Sequence, residues 1–288
     1  MNIPEIIKNS AARHEFVLLF EAVNSNPNGD PDSGNLPRVD PETMHGLVTD
    51  VALKRKIRDY LSLTQNENIF IQSKVALNTL IEQVGKDLEK EAKGNKRADE
   101  DVQKGMCERF FDVRMFGAVL STGKLNAGQV RGPVQLTFAK SIDPVFQLEL
   151  SITRQARTTE ERMETGSTEM GRKAVVPYGL YLAKGYFNPF LAKTTGVSSN
   201  DLTMLWTALC NLFDYDRSAA RPEMTVRGVY VFTHENEKGN APAHKLLELV
   251  KVGLKDKEKA PRAFTDYTVT VDDQNLPAGV TLTKLIEG

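Results

Sequence analysis

The chain has 288 residues, of which 40% are apolar and 26% are charged, and this composition supports a folded core and excludes wholesale disorder. Lysine and arginine number 37 against 38 acidic residues, so the formal net charge is −1 and any polyanion-binding surface must be local. No apolar run approaches the roughly 18 residues that a membrane span needs, and the N-terminus does not resemble an export signal. We therefore expect a cytoplasmic protein with no membrane contact, in which Cys107 and Cys210 are buried thiols.

The first predicted element is a buried strand at residues 15–23, an apolar run bounded by turn-forming residues. Residues 24–46 hold four prolines, three glycines and four asparagines, which favour an irregular loop. A loop of this length in a compact domain is usually functional or disordered. A helix is predicted at 47–63, because apolar residues recur at i, i+4, i+7 and i+8, namely at Leu53, Ile57, Tyr60 and Leu61.

Two further helices, at 73–93 and 98–116, are separated by a charged stretch and form a predicted helical insertion. Residues 145–153 alternate between apolar and polar, which is typical of a half-buried strand. The remaining predicted strands are 175–187, 225–233 and 264–271, and the remaining predicted helices are 199–213 and 243–253. This order predicts an α+β fold with helices on one face of a sheet, and a ferredoxin-like plan fits it.

The helix after the long loop carries a cluster of basic residues. At 100° per residue, Lys54, Arg55 and Arg58 project from one face, opposite the apolar stripe, whereas Lys56 points elsewhere. Three cations on one rigid face can follow the phosphates of a nucleic acid, and the preceding loop can add backbone N–H groups and amide side chains.

The same cations also have a purely structural interpretation. Asp50 and Lys54, and likewise Arg55 and Asp59, are spaced i, i+4, the spacing of ion pairs on a helix. On that interpretation the basic face is only solvated. The residue pattern alone leaves both interpretations open.

Residues 153–173 have no periodic apolar pattern although they lie between two strong strands, so they should project as an exposed arm. Met163 and Met170 lie among the cations Arg154, Arg157, Arg162, Arg172 and Lys173. Apolar side chains beside cations are used by proteins that wedge open base steps. A flexible charged hairpin without a partner is the alternative.

Residues 123–136 combine glycines with Gln129 and Arg131 immediately before a strand. The glycines either form a turn or permit the close approach of a ligand or a neighbouring subunit.

The residue spacings of known enzyme and metal-binding motifs are not matched in this sequence. Asn28, Asp30 and Asp32 imitate the first ligands of a calcium loop, but Ser33 and Val39 occupy positions that require glycine and glutamate. We therefore predict no catalytic residue, no metal and no cofactor.

Four blocks, in this order, resemble one known family: FVLLFEAVNSNPNGDPDSGNLPRVDPETMHGLVTDVALKRKIRDYL, DVRMFG, GQVRGPVQ and SITRQARTTEE with GRKAVVPYGLYLAKGYF. They are similar to the backbone subunit of type I-C CRISPR Cascade, a member of the Cas7 family. The resemblance extends over nearly the whole chain. It implies a modified RNA-recognition-motif (ferredoxin-like) palm with a helical insertion and a protruding thumb hairpin.

The resemblance further implies a single elaborated domain, with the palm at about 14–63, 134–154 and 175–288, the insertion at about 73–120 and the thumb at about 154–175. Its implied partners are CRISPR RNA, copies of the same chain in a filament, other Cascade subunits, and target DNA that pairs with the guide. The implied RNA-binding residues are Asn24, Asn28, Arg38, Lys54, Arg55, Arg58, Gln129, Arg131, Arg154, Arg157, Arg172 and Lys173, with Met163 and Met170 as the thumb wedge.

The aromatic signature of ordinary RNA-recognition motifs is absent from the sequence, which favours binding of the guide backbone over stacking of bases on the sheet. Three functions are compatible with the sequence. The first is a noncatalytic guide-RNA scaffold. The second is a metal-dependent RNA endonuclease of a type III-like effector that uses Asp30 or Asp32. The third is a structural oligomer of protein alone.

Overall fold

The computed structural model describes residues 2–73, 75–91, 99–121, 127–154 and 169–288. The first elements in chain order are β1 (His14–Ser25), β2 (Gly29–Asp30), β3 (Leu36–Pro37), β4 (His45–Val48), α1 (Asp50–Thr64), α2 (Leu77–Glu91), α3 (Asp99–Arg109), α4 (Phe111–Phe116), β5 (Gly117–Val119), β6 (Gln129–Arg131), β7 (Val134–Leu136) and β8 (Ala139–Pro144). The others are β9 (Leu148–Arg154), β10 (Glu169–Phe187), α5 (Pro189–Thr195), α6 (Ser199–Cys210), β11 (Glu223–His234), α7 (Ala243–Leu247), β12 (Val250–Leu254), β13 (Tyr267–Val271) and β14 (Val280–Glu287).

A central sheet organises the fold, with strands in the order β14, β11, β1, β10, β8, β4. All its neighbouring strands are antiparallel. The chain leaves β1, forms α1 and the insertion, and returns as β8 on the far side of β10. It then leaves β10, forms α6, and returns as β11 on the far side of β1. The structure is therefore a mixed α/β fold built on an antiparallel sheet.

Strand β1 lies at the centre and is covered on both faces, because its apolar residues alternate between two cores. Phe16 and Phe20 pack with Trp206 and other residues of α1 and α6. Val17 packs on the opposite face with residues of α7 and β12, and Leu19 with β13. The centre of the sheet is therefore unavailable as an open platform for bases, in contrast to the arrangement in which sheet aromatics stack on RNA.

Helices α2 and α3 enclose a hydrophobic cluster of their own with β6, including Ile81, Val84 and Met106. Cys107 belongs to this cluster, whereas Cys210 lies in the main core. Both are buried free thiols, as predicted. Burial raises the pKa of Cys107 to about 11 and that of Cys210 to about 12, which makes both poor nucleophiles. In the part of the chain that is described, no helix has the length and hydropathy to cross a bilayer.

Two helix predictions need correction. The predicted helix at 243–253 ends at Leu247, and residues 250–254 form β12 instead. The reason is tertiary, since β13 offers a complete antiparallel ladder and Val250, Val252 and Leu254 alternate at the strand period. The predicted helix at 98–116 is interrupted at Phe110, whose backbone is extended.

The predicted half-buried strand at 145–153 begins only at Leu148, and its apolar side is exposed. Phe146, Leu150 and Ile152 keep 69%, 44% and 48% of their surface. Strand β9 pairs with the start of β10, but no element of the described chain packs on that side. Alternation therefore predicted the strand correctly and its burial wrongly.

The N-terminal segment is fixed to the core by hydrogen bonds at its two ends. The indole N–H of Trp206 donates to the carbonyl of Ile7 at 2.8 Å, and the buried His14 contacts the carbonyl of Asn9 and the hydroxyl of Thr233, both at 2.9 Å. A carbonyl can only accept, so Nε2 of His14 donates to it and Nδ1 accepts from Thr233. The neutral imidazole satisfies both bonds.

This geometry predicts a pH-dependent stability. Burial, opposed by the Asn9 bond and by Glu15 and assisted by His234, lowers the pKa of His14 from 6.5 to about 4. Between these values the unfolded chain takes up a proton that the folded chain excludes, so stability falls as the pH falls from 6.5 to 4. His14→Gln retains a donor and an acceptor without titrating. Urea unfolding at pH 7.5 and pH 5 should show that the free energy of unfolding falls by about 2 kcal/mol more in the wild type than in the variant. Equal losses in the two proteins would contradict the role of a buried, neutral His14.

Candidate nucleic-acid interface

The loop after β1 and the start of α1 form one hydrogen-bonded unit. Oδ1 of Asn28 accepts from the backbone N–H of Thr49 at 2.9 Å and from its hydroxyl at 3.0 Å. Thr49 is the N-cap of α1, and its Oγ1 accepts from the N–H of Ala52. The backbone of Arg38 also bonds to the carbonyl of Asn28 at 3.1 Å. Asn28 therefore anchors the loop with its carbonyl oxygens.

The same loop reaches two other parts of the molecule. The N–H of Val145 donates to the carbonyl of Met44 at 2.9 Å, and the side chain of Gln147 donates to the carbonyl of Pro37, so the loop contacts the base of the β9–β10 hairpin. The N–H of Asn26 bonds to Ala220 at 2.7 Å. The end of β1 thus brings together the α1 N-terminus, the hairpin base and the segment before β11.

Besides Asn28, two residues of this region were predicted to bind RNA, namely Asn24 near the end of β1 and Arg38 in the loop. Asn24 is exposed with φ of 45°, a left-handed conformation that asparagine tolerates better than most residues. Arg38 is half-buried and forms an ion pair with Asp30 at 3.4 Å. Only Asn24 therefore presents an uncommitted side chain, within the described residues.

Helix α1 forms both ion pairs that its spacing predicts. Lys54 lies 3.0 Å from Asp50 and is mostly covered, with its ammonium 5.9 Å from the centre of the Phe116 ring. Arg55 lies 3.6 Å from Asp59 and keeps 68% of its side-chain surface. Of the predicted basic face, Arg55 is therefore the cation most available to a phosphate.

The position of Arg58 shows that the predicted basic face of α1 is not exposed along its whole length. Its side chain is 8% exposed, and its Nε donates to Asp112 at 2.8 Å. Asp112 also accepts from the backbone N–H groups of Phe70 and Ile71, at 2.8 and 3.0 Å. The helical insertion packs over this part of α1, which a helical projection does not reveal. Arg58 therefore holds the insertion.

Lys56 does point away from the other cations, as predicted, but it is buried rather than solvated. Its ammonium forms an ion pair with Asp216 and lies over the Phe213 ring. Burial lowers the pKa of Lys56, while the charge and the hydrogen bond of Asp216 oppose the shift. The pair joins α1 to the segment before β11.

Gln129 and Arg131 are exposed on β6, which pairs with β5. The nearby glycines face their own chain. A Cβ on Gly132 would lie 2.3 Å from the backbone N of Gly117, and a Cβ on Gly117, which has φ of 80°, would lie 2.4 Å from the carbonyl oxygen of Val130. The close backbone approach that these glycines permit is thus within the chain itself. Arg131 lies beside a cleft of about 470 Å³.

The predicted thumb, at about 154–175, begins at the end of β9, and of its residues the structure describes Arg154 and the first part of β10. Strands β9 and β10 pair from Leu148–Val175 to Arg154–Glu169. Arg172 keeps 82% of its side-chain surface and pairs with Glu149 at 3.2 Å. Lys173 lies opposite Leu150, and Met170 lies opposite Thr153 in the ladder. Arg157 and Met163 fall outside the described residues.

Asp30, the residue considered for metal-dependent cleavage, has a local structural role. Its carboxylate accepts from the N–H of Asp32 at 3.2 Å, caps the following turn, and pairs with Arg38. Within the described part of the chain, no three His, Cys, Asp or Glu side chains are grouped to hold a metal ion.

Sequence reasoning missed the role of two residues in the DVRMFG block. Asp112 accepts the bonds described above. Arg114 donates to Asp201 at 2.6 Å, and Asp201 in turn forms a capping box with Ser198 at the start of α6. An aspartate and an arginine two positions apart in an apolar block were the available signal, because charged residues are rarely fully buried unless they are paired.

The family profile described as CRISPR-associated protein Cas7 matches residues 12–272. The chain belongs to the Cas7 family. A Cas7 protein of Haloferax volcanii is 28% identical over an alignment that covers 91% of this chain and 81% of that protein.

The fold is also similar to that of a solved chain of a "CRISPR RNA-guided surveillance complex, pre-nicking". The TM-score is 0.51 at 14% identity, and the match covers 76% of this chain and 78% of the other. A chain from a type III-B Cmr-beta complex bound to cognate target RNA matches with a TM-score of 0.42 at 13% identity, covering 79% and 63%. The second score is too low for a structural argument.

In this Cas7-family chain the buried carboxylate of Asp112 should dominate the attachment of the insertion. Asp112→Ala leaves Arg58 and two backbone N–H groups without their partner, and we expect a loss of about 3–5 kcal/mol in the free energy of unfolding. Asp59→Ala, the matched control that removes the exposed partner of Arg55, should cost less than about 1 kcal/mol. Urea unfolding followed by circular dichroism measures both, and similar losses in the two variants would contradict the assignment.

Proposed function

We propose that this Cas7-family chain is a noncatalytic, guide-RNA-binding backbone subunit of a CRISPR effector complex, of the type I-C Cascade kind, which polymerises along one CRISPR RNA. The observation that carries the proposal is the convergence of the β1 loop, the α1 N-terminus and the hairpin base at one end of a sheet whose centre is covered. This arrangement supports contacts to the guide backbone rather than to stacked bases.

The palm is proposed to be a modified RNA-recognition motif, with a ferredoxin-like plan. The strand order β11, β1, β10, β8 and the two helical crossovers support this proposal. Within a single elaborated domain, the palm is assigned to about 14–63, 134–154 and 175–288, the insertion to about 73–120, and the thumb to about 154–175. The separate hydrophobic cluster of the insertion supports that division.

The phosphate contacts are assigned first to the exposed side chains of Asn24, Arg55, Gln129, Arg131 and Arg172, and to the half-buried Lys173. Asn28, Arg38, Lys54 and Arg58, which are engaged within the fold, would shape the site rather than form its main contacts. Arg154, Arg157, Met163 and Met170 stay in the proposal through the resemblance of the thumb.

Assembly is proposed to occur in the cytoplasm with further copies of the chain and with other Cascade subunits, and target DNA would bind by pairing with the guide. The exposed Phe146, Leu150 and Ile152 on one side of the hairpin support an assembled state, because contiguous exposed apolar side chains favour burial by a partner.

Charge reversal tests guide binding. The triple variant Arg55→Glu, Arg131→Glu, Arg172→Glu should weaken binding of a single-stranded guide RNA about tenfold or more, for all sequences alike. The slope of log affinity against log salt should fall by about 0.7 for each lost contact. The matched control reverses the exposed lysines Lys86, Lys104 and Lys238 on other surfaces. Fluorescence anisotropy at several salt concentrations measures both, and unchanged RNA affinity in the triple variant would refute the assigned surface.

The noncatalytic assignment has its own test. The assembled complex, incubated with RNA complementary to the guide and with magnesium, should leave that RNA intact, and Asp30→Ala and Asp32→Ala should change nothing in this assay. The physical reason is that Asp30 is already engaged by Arg38 and by the turn that follows. Regularly spaced RNA fragments that disappear in either variant would establish the metal-dependent endonuclease instead.

A further inference from the structure

The C-terminal hairpin of β12 and β13 has two different faces. Its inward side chains, among them Val252, Leu254 and Val269, pack against the central sheet. Its outward side chains are all exposed and comprise Lys251, Gly253, Thr268 and Thr270. The outward face of the ladder therefore carries one cation, two hydroxyls and no carboxylate, and the packing of its inward face against the central sheet supports it.

The outward face is open to a close approach. A Cβ placed on Gly253 would meet no atom within 4 Å. Within the described residues, the ammonium of Lys251 has no ion-pair or hydrogen-bond partner. Lysine and arginine side chains and threonine hydroxyls are among the groups with which proteins contact phosphate oxygens.

The loop between the two strands carries further cations at one end of this ladder. Lys257 and Arg262 are exposed, and neither side chain has a partner in the described part of the chain. Two of the three carboxylates in the loop are engaged: Asp266 accepts from the backbone N–H groups of residues 262 and 263, at 2.8 and 3.0 Å, and Asp256 pairs with Lys259 at 3.2 Å. The third, Glu258, is exposed and its side chain has no partner in the described part of the chain, so the uncommitted charges of the loop are two cations and one carboxylate.

The hairpin lies on the face of the sheet opposite to α1. The hydroxyl of Tyr267 donates to Asp143 of β8 at 2.8 Å, and Phe264 lies beneath the guanidinium of Arg227 at 5.0 Å. Arg227 in turn pairs with Glu21 of β1. The loop is therefore at the same end of the sheet as the proposed guide site but on its other face, and the two basic surfaces are separated by the sheet itself.

We propose that the outer face of the β12–β13 hairpin is a second phosphate-binding surface, which takes the sugar–phosphate backbone of a nucleic-acid strand other than the one bound beside α1. Three uncommitted cations, Lys251, Lys257 and Arg262, neutralise phosphates, and the hydroxyl of Thr268 donates to them, whereas that of Thr270 donates to the carbonyl of Lys251 at 3.5 Å. Two-stranded ribbons of this kind fit along nucleic-acid grooves. Recognition is independent of base sequence. That this strand is not the guide rests on the proposed function. The test distinguishes failure of the hairpin surface from failure of the guide site.

The test is the triple variant Lys251→Glu, Lys257→Glu, Arg262→Glu in the full chain. It is titrated with a short DNA duplex and with a single-stranded RNA of the same length. The hairpin variant should bind the duplex about tenfold or more weakly, with the salt slope reduced by about 0.9 per lost contact. Its RNA affinity should stay within about twofold. The Lys86, Lys104 and Lys238 control should retain duplex binding, and a wild-type melting temperature verifies folding.

The outcomes are distinct. Duplex binding equal to that of the wild type, or a wild type that binds no duplex, would refute the second surface. An equal loss of RNA and duplex would also refute it, because the hairpin would then belong to the guide path. If instead reversal of Arg55, Arg131 and Arg172 leaves RNA binding intact while the hairpin variant loses the duplex, the guide site is wrong and the hairpin surface stands.

Discussion

A single buried carboxylate determines how the helical insertion sits on the sheet. Asp112 is 1% exposed and accepts from the guanidinium of Arg58 and from the N–H groups of Phe70 and Ile71. A carboxylate in such a place is tolerated only when its hydrogen bonds replace those of water. Three donors from two segments therefore have to converge on it, which fixes α1, the chain after it and α4 relative to one another.

This constraint divides the cations of α1 into two groups. Arg58 turns inward to the buried Asp112 and Lys56 to the half-buried Asp216, whereas Arg55 remains available to solvent. The centre of β1 is covered on both faces, so a polar ligand has to approach the sheet at its ends or at its outer layers. The candidate binding surfaces therefore lie on loops and hairpins, which commonly carry the binding residues of a rigid scaffold.

The sequence predicted elements well where a local pattern decides the structure. The apolar run of β1 and the periodic stripe of α1 are examples, because their burial follows from their own side chains. It failed where a distant segment decides. Val250–Leu254 becomes a strand only because β13 pairs with it, and Arg58 becomes buried only because the insertion covers it. In the candidate site, ion pairs at i, i+4 were predictable, whereas the pairing of Lys56 with Asp216 joins residues far apart in the chain.

Strand β10 is 19 residues long and runs without interruption from the hairpin that it forms with β9 into the middle of the sheet, where it pairs with β1 from Ser25–Val176 to His14–Phe187. A pull on the hairpin along this axis is consequently borne by the whole ladder at once, in shear, and not by one hydrogen bond after another, as in unzipping. The hairpin is thereby anchored through the whole β1–β10 ladder. A chain linked to its neighbours through that hairpin would transmit tension directly to the centre of each fold.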